Sequence, residues 1–206
     1  MSRIKFTKGE LKRQRDSLLQ YGRYLPILEL KEQQLQMEIL HQSSLLEEKK
    51  HSLTKRIEGI HIWSALLAEE TGLDLRGWIT PLEVVTRRKN IAGVDYPVFE
   101  RVDFTPAEYD LFFAPLWVDA AIEQLRVLAA LRAEISLLEE GIRLLRHELR
   151  ITTQRVNLFE KVKIPEAIEV IRLIKIFIGD QMSNAVGRSK IAKKKIEEYA
   201  LEEVPA

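Results

Sequence analysis

Leu131, Ile135, Leu138, Ile142, Leu145, Leu149, Thr152, Val156 and Phe159 follow one another at alternating steps of four and three. That spacing averages 3.5 residues, the repeat that keeps one helical stripe facing a partner and winds two helices into a left-handed coiled coil. A second ladder lies nearer the start: Leu11, Leu18, Leu25, Ile39, Leu46, Leu53, Ile60 and Leu67 recur every seven residues, with Glu32 at the one polar rung. The ladders flank a middle without helical periodicity. A chain folded back on itself satisfies both stripes at once. The expected fold is therefore mainly α, a long antiparallel two-helix coiled coil with a small middle region of β-hairpin and short helix. Its seam is expected to include Leu11, Leu18, Leu46, Leu53, Ile135, Leu138, Ile142, Leu145 and Leu149.

Local signals divide the chain into a first long helix over 1–70, a middle region over 71–115 and a second long helix over 116–206. Thr7-Lys8-Gly9-Glu10 has the spacing of a capping box, and Thr71-Gly72 offers a left-handed residue to close the helix. Pro26 removes one backbone donor and predicts a kink rather than a stop, because the ladder continues in phase beyond it. In the middle, Leu82 to Thr86 and Val94 to Val102 are rich in β-branched and aromatic residues around Asn90-Ile91-Ala92-Gly93. They predict a hairpin over about 82–102, with Pro97 placing the second strand at an edge. Thr105-Pro106-Ala107-Glu108 reads as a helix start. Pro115 kinks that helix or opens the next, and Ile164-Pro165 marks a bend in the second long helix. Beyond it Ile168, Ile171, Ile174 and Ile178 keep one apolar face, and a basic cluster of Lys190, Lys193, Lys194 and Lys195 follows.

Composition narrows the function classes. Of 206 residues, 46% are hydrophobic and 31% charged, the balance of helices apolar on one stripe and charged elsewhere. Lys plus Arg number 32 against 31 Asp plus Glu, a net charge of +1, too weak a field to draw the chain to nucleic acid. No cysteine is present, which excludes disulfides and thiolate zinc sites. No apolar run approaches the ~20 residues of a membrane span, and residues 1–10 lack the apolar core of a signal peptide. The expectation is a cytoplasmic protein without direct membrane insertion.

Catalytic, cofactor-binding and metal-binding residues are not expected. The chain has no Gly-x-x-x-x-Gly-Lys loop to cradle a nucleotide. His41, His51 and His61 stand ten residues apart, about 1000° of helical rotation per step, and His147 has no second histidine four residues on. Glu47, Glu48, Glu139 and Glu140 read as solvated helix faces. Trp63 is expected in the core rather than as a ligand shelf, and Trp78 and Trp117 in the packing of the middle region first and on a partner surface second. The terminal lysines read as a solvated face first and a binding patch second.

The stretch Thr152-Thr153-Gln154-Arg155-Val156-Asn157-Leu158-Phe159-Glu160-Lys161-Val162-Lys163-Ile164-Pro165 resembles the Thr-x-x-Arg-Val-Asn-x-x-Glu-x-x-x-Ile-Pro signature of the D-subunit family of V-type and archaeal-type rotary ATPases. Leu28-Glu29-Leu30-Lys31 is similar to the Leu-Leu-Lys run of that family's first helix. Asn90 to Pro97, with Gly93 and Pro97 in place, is similar to its Asn-x-x-Gly-Val-x-x-Pro. The chain departs from the pattern in a less basic first helix and in Gly179 to Asn184, where an acidic, Arg-containing turn is expected.

The resemblance implies a non-catalytic central stalk, without cofactor, that couples ATP synthesis or hydrolysis to H+ or Na+ transport. Its implied partners are the catalytic A and B subunits, into whose hexamer the paired terminal helices reach, the F subunit on its side and the C subunit at the opposite end. Ile171, Ile178, Lys190 and Lys194 are the implied hexamer contacts. The other class compatible with such ladders is a cytosolic coiled-coil adaptor or the stalk of another ATPase assembly, such as a secretion apparatus.

Overall fold

Thr7 opens the first helix as its spacing requires: the Glu10 N–H donates to the Thr7 hydroxyl at 3.2 Å, satisfying one of the donors a helix start leaves unpaired. The computed structural model describes residues 5–69, 73–110, 112 and 114–202. Helix α1 spans Lys8–His61 and continues through Pro26. It stops short of the expected Glu70. Trp63 N–H bonds the Ile60 carbonyl at 3.1 Å and the Ser64 hydroxyl bonds the His61 carbonyl at 2.9 Å. These contacts tighten the chain into a 3-10 turn over Ser64–Ala68. The expected closure at Thr71-Gly72 lies outside the described residues. A short helix α2, Leu75–Ile79, is capped by Asp74, whose carboxylate accepts from the Gly77 N–H at 2.9 Å.

Strands β1 (Pro81–Ile91) and β2 (Val94–Phe104) form the hairpin, longer than expected by a residue or two at each outer end. Ile91 pairs with Val94, leaving Ala92-Gly93 as a two-residue turn with φ of 52° and 78°. Both central residues of such a turn must be left-handed, a conformation glycine accepts freely and alanine does not. Asn90 supports it: its side chain accepts from Gly93 N–H at 3.2 Å and donates to Asp95 at 2.6 Å.

Thr105-Pro106-Ala107-Glu108 does not begin a helix; 105–110 is irregular. Tertiary contacts use this segment in extended form. The Thr105 carbonyl accepts from the Arg126 guanidinium at 2.5 Å, the Tyr109 ring lies 5.3 Å from that of Trp78, and the Tyr109 hydroxyl bonds Asp119. Helix α3 begins at Val118 and runs to Leu158. A wide π turn, Phe159–Lys163, joins it to α4, Ile164–Glu202. Pro165 accounts for the turn. A proline within a regular α-helix removes a donor and crowds the carbonyl four residues back. Here the Ile164 N–H instead reaches the Phe159 carbonyl, one residue further than usual, and the chain stays helical.

The residues divide into two compact units, 30–153 and 1–29 with 154–206. In the first, α1 and α3 run antiparallel, tied by Lys31–Glu148, Lys49–Glu134 and Lys50–Glu139 at 2.8 to 2.9 Å. The hairpin lies on this pair: Tyr96 joins Leu35, Ile39 and Leu145 in one core, with Ile91, Val94 and Val98 against it. Ile135 and Ile142 are buried along α3, and Val118, Ala121 and Ile122 at its start. In the second unit Val156, Ala167, Ile171 and Ile174 are buried. There the ring of Tyr21 meets Phe159 at 5.3 Å and Phe6 meets Phe177 at 5.1 Å, again antiparallel.

Leu145 is fully buried where the helices and the hairpin meet. Leu145→Ala is expected to destabilise the fold by about 2–5 kcal/mol. Glu139→Gln, which touches only the half-exposed pair with Lys50, is expected to change stability by less than about 1 kcal/mol. Urea denaturation followed by circular dichroism checks both; equal midpoints would remove Leu145 from the core.

Candidate functional site

In a chain built from paired helices the functional surface follows from what locks the elements together and what they leave outside. The strongest polar lock joins β2 to α1. The Tyr96 hydroxyl donates to Glu38 at 2.6 Å, Lys89 approaches the same carboxylate at 3.1 Å, and Gln42 donates to it at 2.8 Å. Tyr96 is 2% exposed, and its ring packs closely against Gly141 on α3. A Cβ there would sit 3.3 Å from the Tyr96 ring and 3.8 Å from the Pro97 carbonyl. Burial pushes the Glu38 carboxyl up, but the hydrogen bonds from Tyr96, Gln42 and Lys89 outweigh it and hold its pKa below the ordinary value. Burial, and then the Glu38 carboxylate, raise the Tyr96 phenol.

A second polar layer sits at the one broken rung of the first ladder. Glu32 accepts from the Thr153 hydroxyl at 2.6 Å, beside Thr152, which is 1% exposed on the seam. Glu32 and Thr153 are half-buried, and a polar layer at a coiled-coil seam favours one register over its slips, because a shifted pairing leaves it facing apolar side chains.

The remaining signature residues divide by face. Val156 is buried, Asn157 and Ile164 are half-buried, and Arg155, Glu160 and Pro165 are exposed or nearly so. Gly93 is exposed at the hairpin turn and Pro97 is half-buried beneath it. Along the seam Ile135, Ile142 and Leu145 are buried, while Leu11, Leu18, Leu46, Leu53, Leu138 and Leu149 are half-buried. On α4 the four isoleucines do not share one environment. Ile171 and Ile174 are buried within their own unit, Ile178 is half-buried and Ile168 is exposed. Ile171 therefore faces inward, and the outward apolar side chains of α4 include Ile176, Met182, Val186 and Ile191. Lys190 and Lys194 are exposed, Lys194 beside Glu198 at 3.6 Å.

Trp63 is half-buried rather than core, and Trp117 donates to Glu69 at 3.4 Å. His41, His51, His61 and His147 are all exposed, and the described residues contain no group of three His, Cys, Asp or Glu placed to hold a metal ion. No helix among them is long and apolar enough to cross a membrane. Sequence reasoning did not single out Leu35, Glu38, Tyr96 or Gly141. Leu35 had a signal, since it lies four residues before Ile39 in the same three-four spacing.

Because Glu38 is more acidic in the folded chain than in the unfolded one, its contribution to stability is complete above the ordinary carboxylate pKa of about 4.3. It is lost as pH falls through the lower folded value. Tyr96 is shifted the other way, so its contribution is complete below about pH 10 and is lost as pH rises through its raised folded value. Glu38→Gln is expected to flatten the acid limb of a stability-against-pH curve and, because the carboxylate also helps to raise the Tyr96 phenol, to make the alkaline limb shallower without abolishing it. Tyr96→Phe is expected to cost about 1.5–3 kcal/mol near neutrality, the range for a hydrogen bond to a charged group. Thermal melts from pH 3 to 11 provide the check, and an unchanged acid limb in Glu38→Gln would show that another carboxylate governs it.

A family model for the D subunit of ATP synthase matches residues 10–194. The D subunit of the V-type ATP synthase of Borreliella burgdorferi is 44% identical over 196 residues, which cover 95% of this chain and 96% of that protein. The protein of the same name from Chlamydia muridarum is 34% identical over 201 residues, 96% of this chain and 98% of its own. That from Chlamydia pneumoniae is 31% identical over 195 residues, 94% and 93% of the two chains. With nearly the whole length matched, the signature of residues 152–165 included, the chain belongs to the family of ATP synthase D subunits.

Proposed function

We propose that the chain is the central stalk of a V-type rotary ATP synthase, a non-catalytic axle that transmits rotation between a catalytic A/B hexamer and an ion-translocating part, with H+ or Na+ as the ion. It lies outside the bilayer and meets the membrane only through the complex. The observation that carries this reading is how the unit built from 1–29 and 154–206 divides its apolar residues. Val156, Ala167, Ile171 and Ile174 are satisfied within the helix pair, yet Ile176, Met182, Val186 and Ile191 remain on the outside of α4. An axle needs both properties: an inner stripe that stiffens the pair and outer side chains that a surrounding sleeve can grip. A lone helix of the same length would depend on marginal helix stability.

In this reading the two ends of the chain enter the hexamer, and Ile178, Lys190 and Lys194 on α4 meet its inner wall. The hairpin stays outside it, toward the F subunit and the membrane side, and the C subunit receives the end opposite the hexamer. Chemistry occurs on the A and B subunits, and this chain supplies no cofactor-binding or catalytic group.

Two deletions test the assignment in a complex reconstituted with the A, B, F and C subunits. Removal of residues 180–206 is expected to weaken insertion and to uncouple ATP hydrolysis from ion flow. Removal of the turn Asn90 to Gly93 is expected to leave the complex assembled with altered turnover. Full coupling after the first deletion would refute torque transmission by that tip. A full-length chain that joins no A/B hexamer would refute the axle.

A further inference from the structure

At the end of the 30–153 unit that adjoins α2, the seam between α1 and α3 opens. Ile135 and Ile142 are buried where the seam is closed. Beyond them Leu53 on α1 and Leu125 and Leu128 on α3 are only half-buried, and Ile57 is 50% exposed. The three-four spacing itself is unbroken there: Leu128 precedes Leu131 by three residues, and Ile57 follows Leu53 by four. Between these side chains lies a cavity of about 860 Å³, with Ala129 on its α3 wall and Ile79 of α2 on a third side.

Nine of the twelve residues that line the cavity are apolar, and the other three are Thr80, Arg76 and Arg132. A concave apolar wall with a few polar groups at one place is the usual form of a small-molecule site, the wall gaining by contact with hydrocarbon and the polar groups fixing orientation. The charge on this wall has one sign, since no Asp or Glu lines it. Both arginines are exposed, and among the described residues neither has a carboxylate within ion-pair distance. Their neighbours are committed elsewhere. Lys49 and Lys50, about one turn before Leu53, hold Glu134 and Glu139, and Arg126 holds the carbonyls of Trp78 and Thr105.

We infer that this cavity binds one long-chain carboxylic acid as its free anion, with the hydrocarbon tail between α1, α2 and α3 and the carboxylate on Arg76 and Arg132. Guanidinium groups suit that head, because their paired N–H donors match the two oxygens of a carboxylate. A cationic amphiphile of the same length is repelled by the arginines, and a neutral ester of the acid fills the apolar part without answering their charge. A phospholipid held in a bilayer offers its headgroup but keeps its tails in the membrane, so it leaves the apolar wall uncovered. The inference concerns the chain itself and stands or falls independently of the axle reading.

The probe is cis-parinaric acid, a fluorescent long-chain acid, titrated below its micelle concentration into the full-length chain. One saturable site is expected, emptied by palmitate, with the methyl ester of the probe bound about tenfold or more weakly. Arg76→Gln with Arg132→Gln is expected to weaken the acid by about tenfold or more and to leave the ester unchanged, a distinction that mere loss of the cavity would not produce. Ala129→Phe, which places a ring in the cavity, is expected to weaken acid and ester alike; circular dichroism shows whether each variant keeps its helices, and if Ala129→Phe does not fold the arginine pair decides alone. No saturable binding, equal binding of acid and ester, an unchanged affinity in the arginine variant, or binding seen only with vesicles of anionic phospholipid overturns the inference and leaves the stalk assignment standing.

Discussion

A helix whose apolar residues recur every 3.5 positions is not stable alone in water: the stripe needs a partner along its length, and the partner must present the same period. In this chain each unit supplies that partner internally. Leu35 and Ile39 of α1 close on Leu145 of α3, and Val156 with Ile171 and Ile174 fill the seam of the other unit. The middle of the chain has its form because of this pairing. Once two helices have buried their stripes against each other, the hairpin between them has no core of its own, and it takes one by placing Tyr96 on the outside of the pair.

How far the sequence could be read depends on whether a feature is periodic or singular. The two ladders and the alternation around Asn90 to Gly93 are local patterns, and the helices and hairpin they imply are present. Thr105-Pro106-Ala107-Glu108 is also a local pattern, a good helix start on propensity, yet Arg126 and Trp78 hold that segment open from a distance. Capping signals are worth about 0.5–2 kcal/mol, and several tertiary contacts outweigh them. Gly141 carried no signal as a contact point, because a glycine inside a helical ladder looks like a mere weakness until the Tyr96 ring is seen 3.3 Å from where its Cβ would be. Glu38 was one carboxylate among many. Its partners Tyr96 and Lys89 lie 58 and 51 residues away, a separation at which no spacing rule operates.

The breaks in regularity are where the chain specifies its alignment. A perfectly apolar seam permits the helices to slip by a heptad at little cost. Glu32 bonded to Thr153, both half-buried, with Thr152 buried beside them, disfavours such a slip, because the displaced polar groups would lose their partners. A few residues further along the chain Phe159, which stacks on Tyr21, starts the wide turn that accommodates Pro165. The polar pair that favours one register thus lies close in sequence to the place where backbone hydrogen bonding changes. The signature residues Thr152 to Pro165 cluster around this point.

An axle must also differ from one side to the other, since a shaft alike all round gives its surroundings nothing to distinguish one angle from the next. The asymmetry here begins with two residues. Gly141 admits the hairpin to one side of the α1–α3 pair, and Tyr96 with Glu38 latches it there. That side is then covered by β-structure, while the other keeps Met37 and Leu40 bare beside Arg146 and Arg150. The hairpin and the bare face are consequences of one arrangement, because the helix period that turns Glu38 toward Tyr96 turns Leu40 away from it. Sliding α1 by one position would turn Glu38 away from Tyr96 and rotate Met37 and Leu40 by about 100°. Glu32 and Thr153, which hold the register, therefore stand behind both faces although they contact neither.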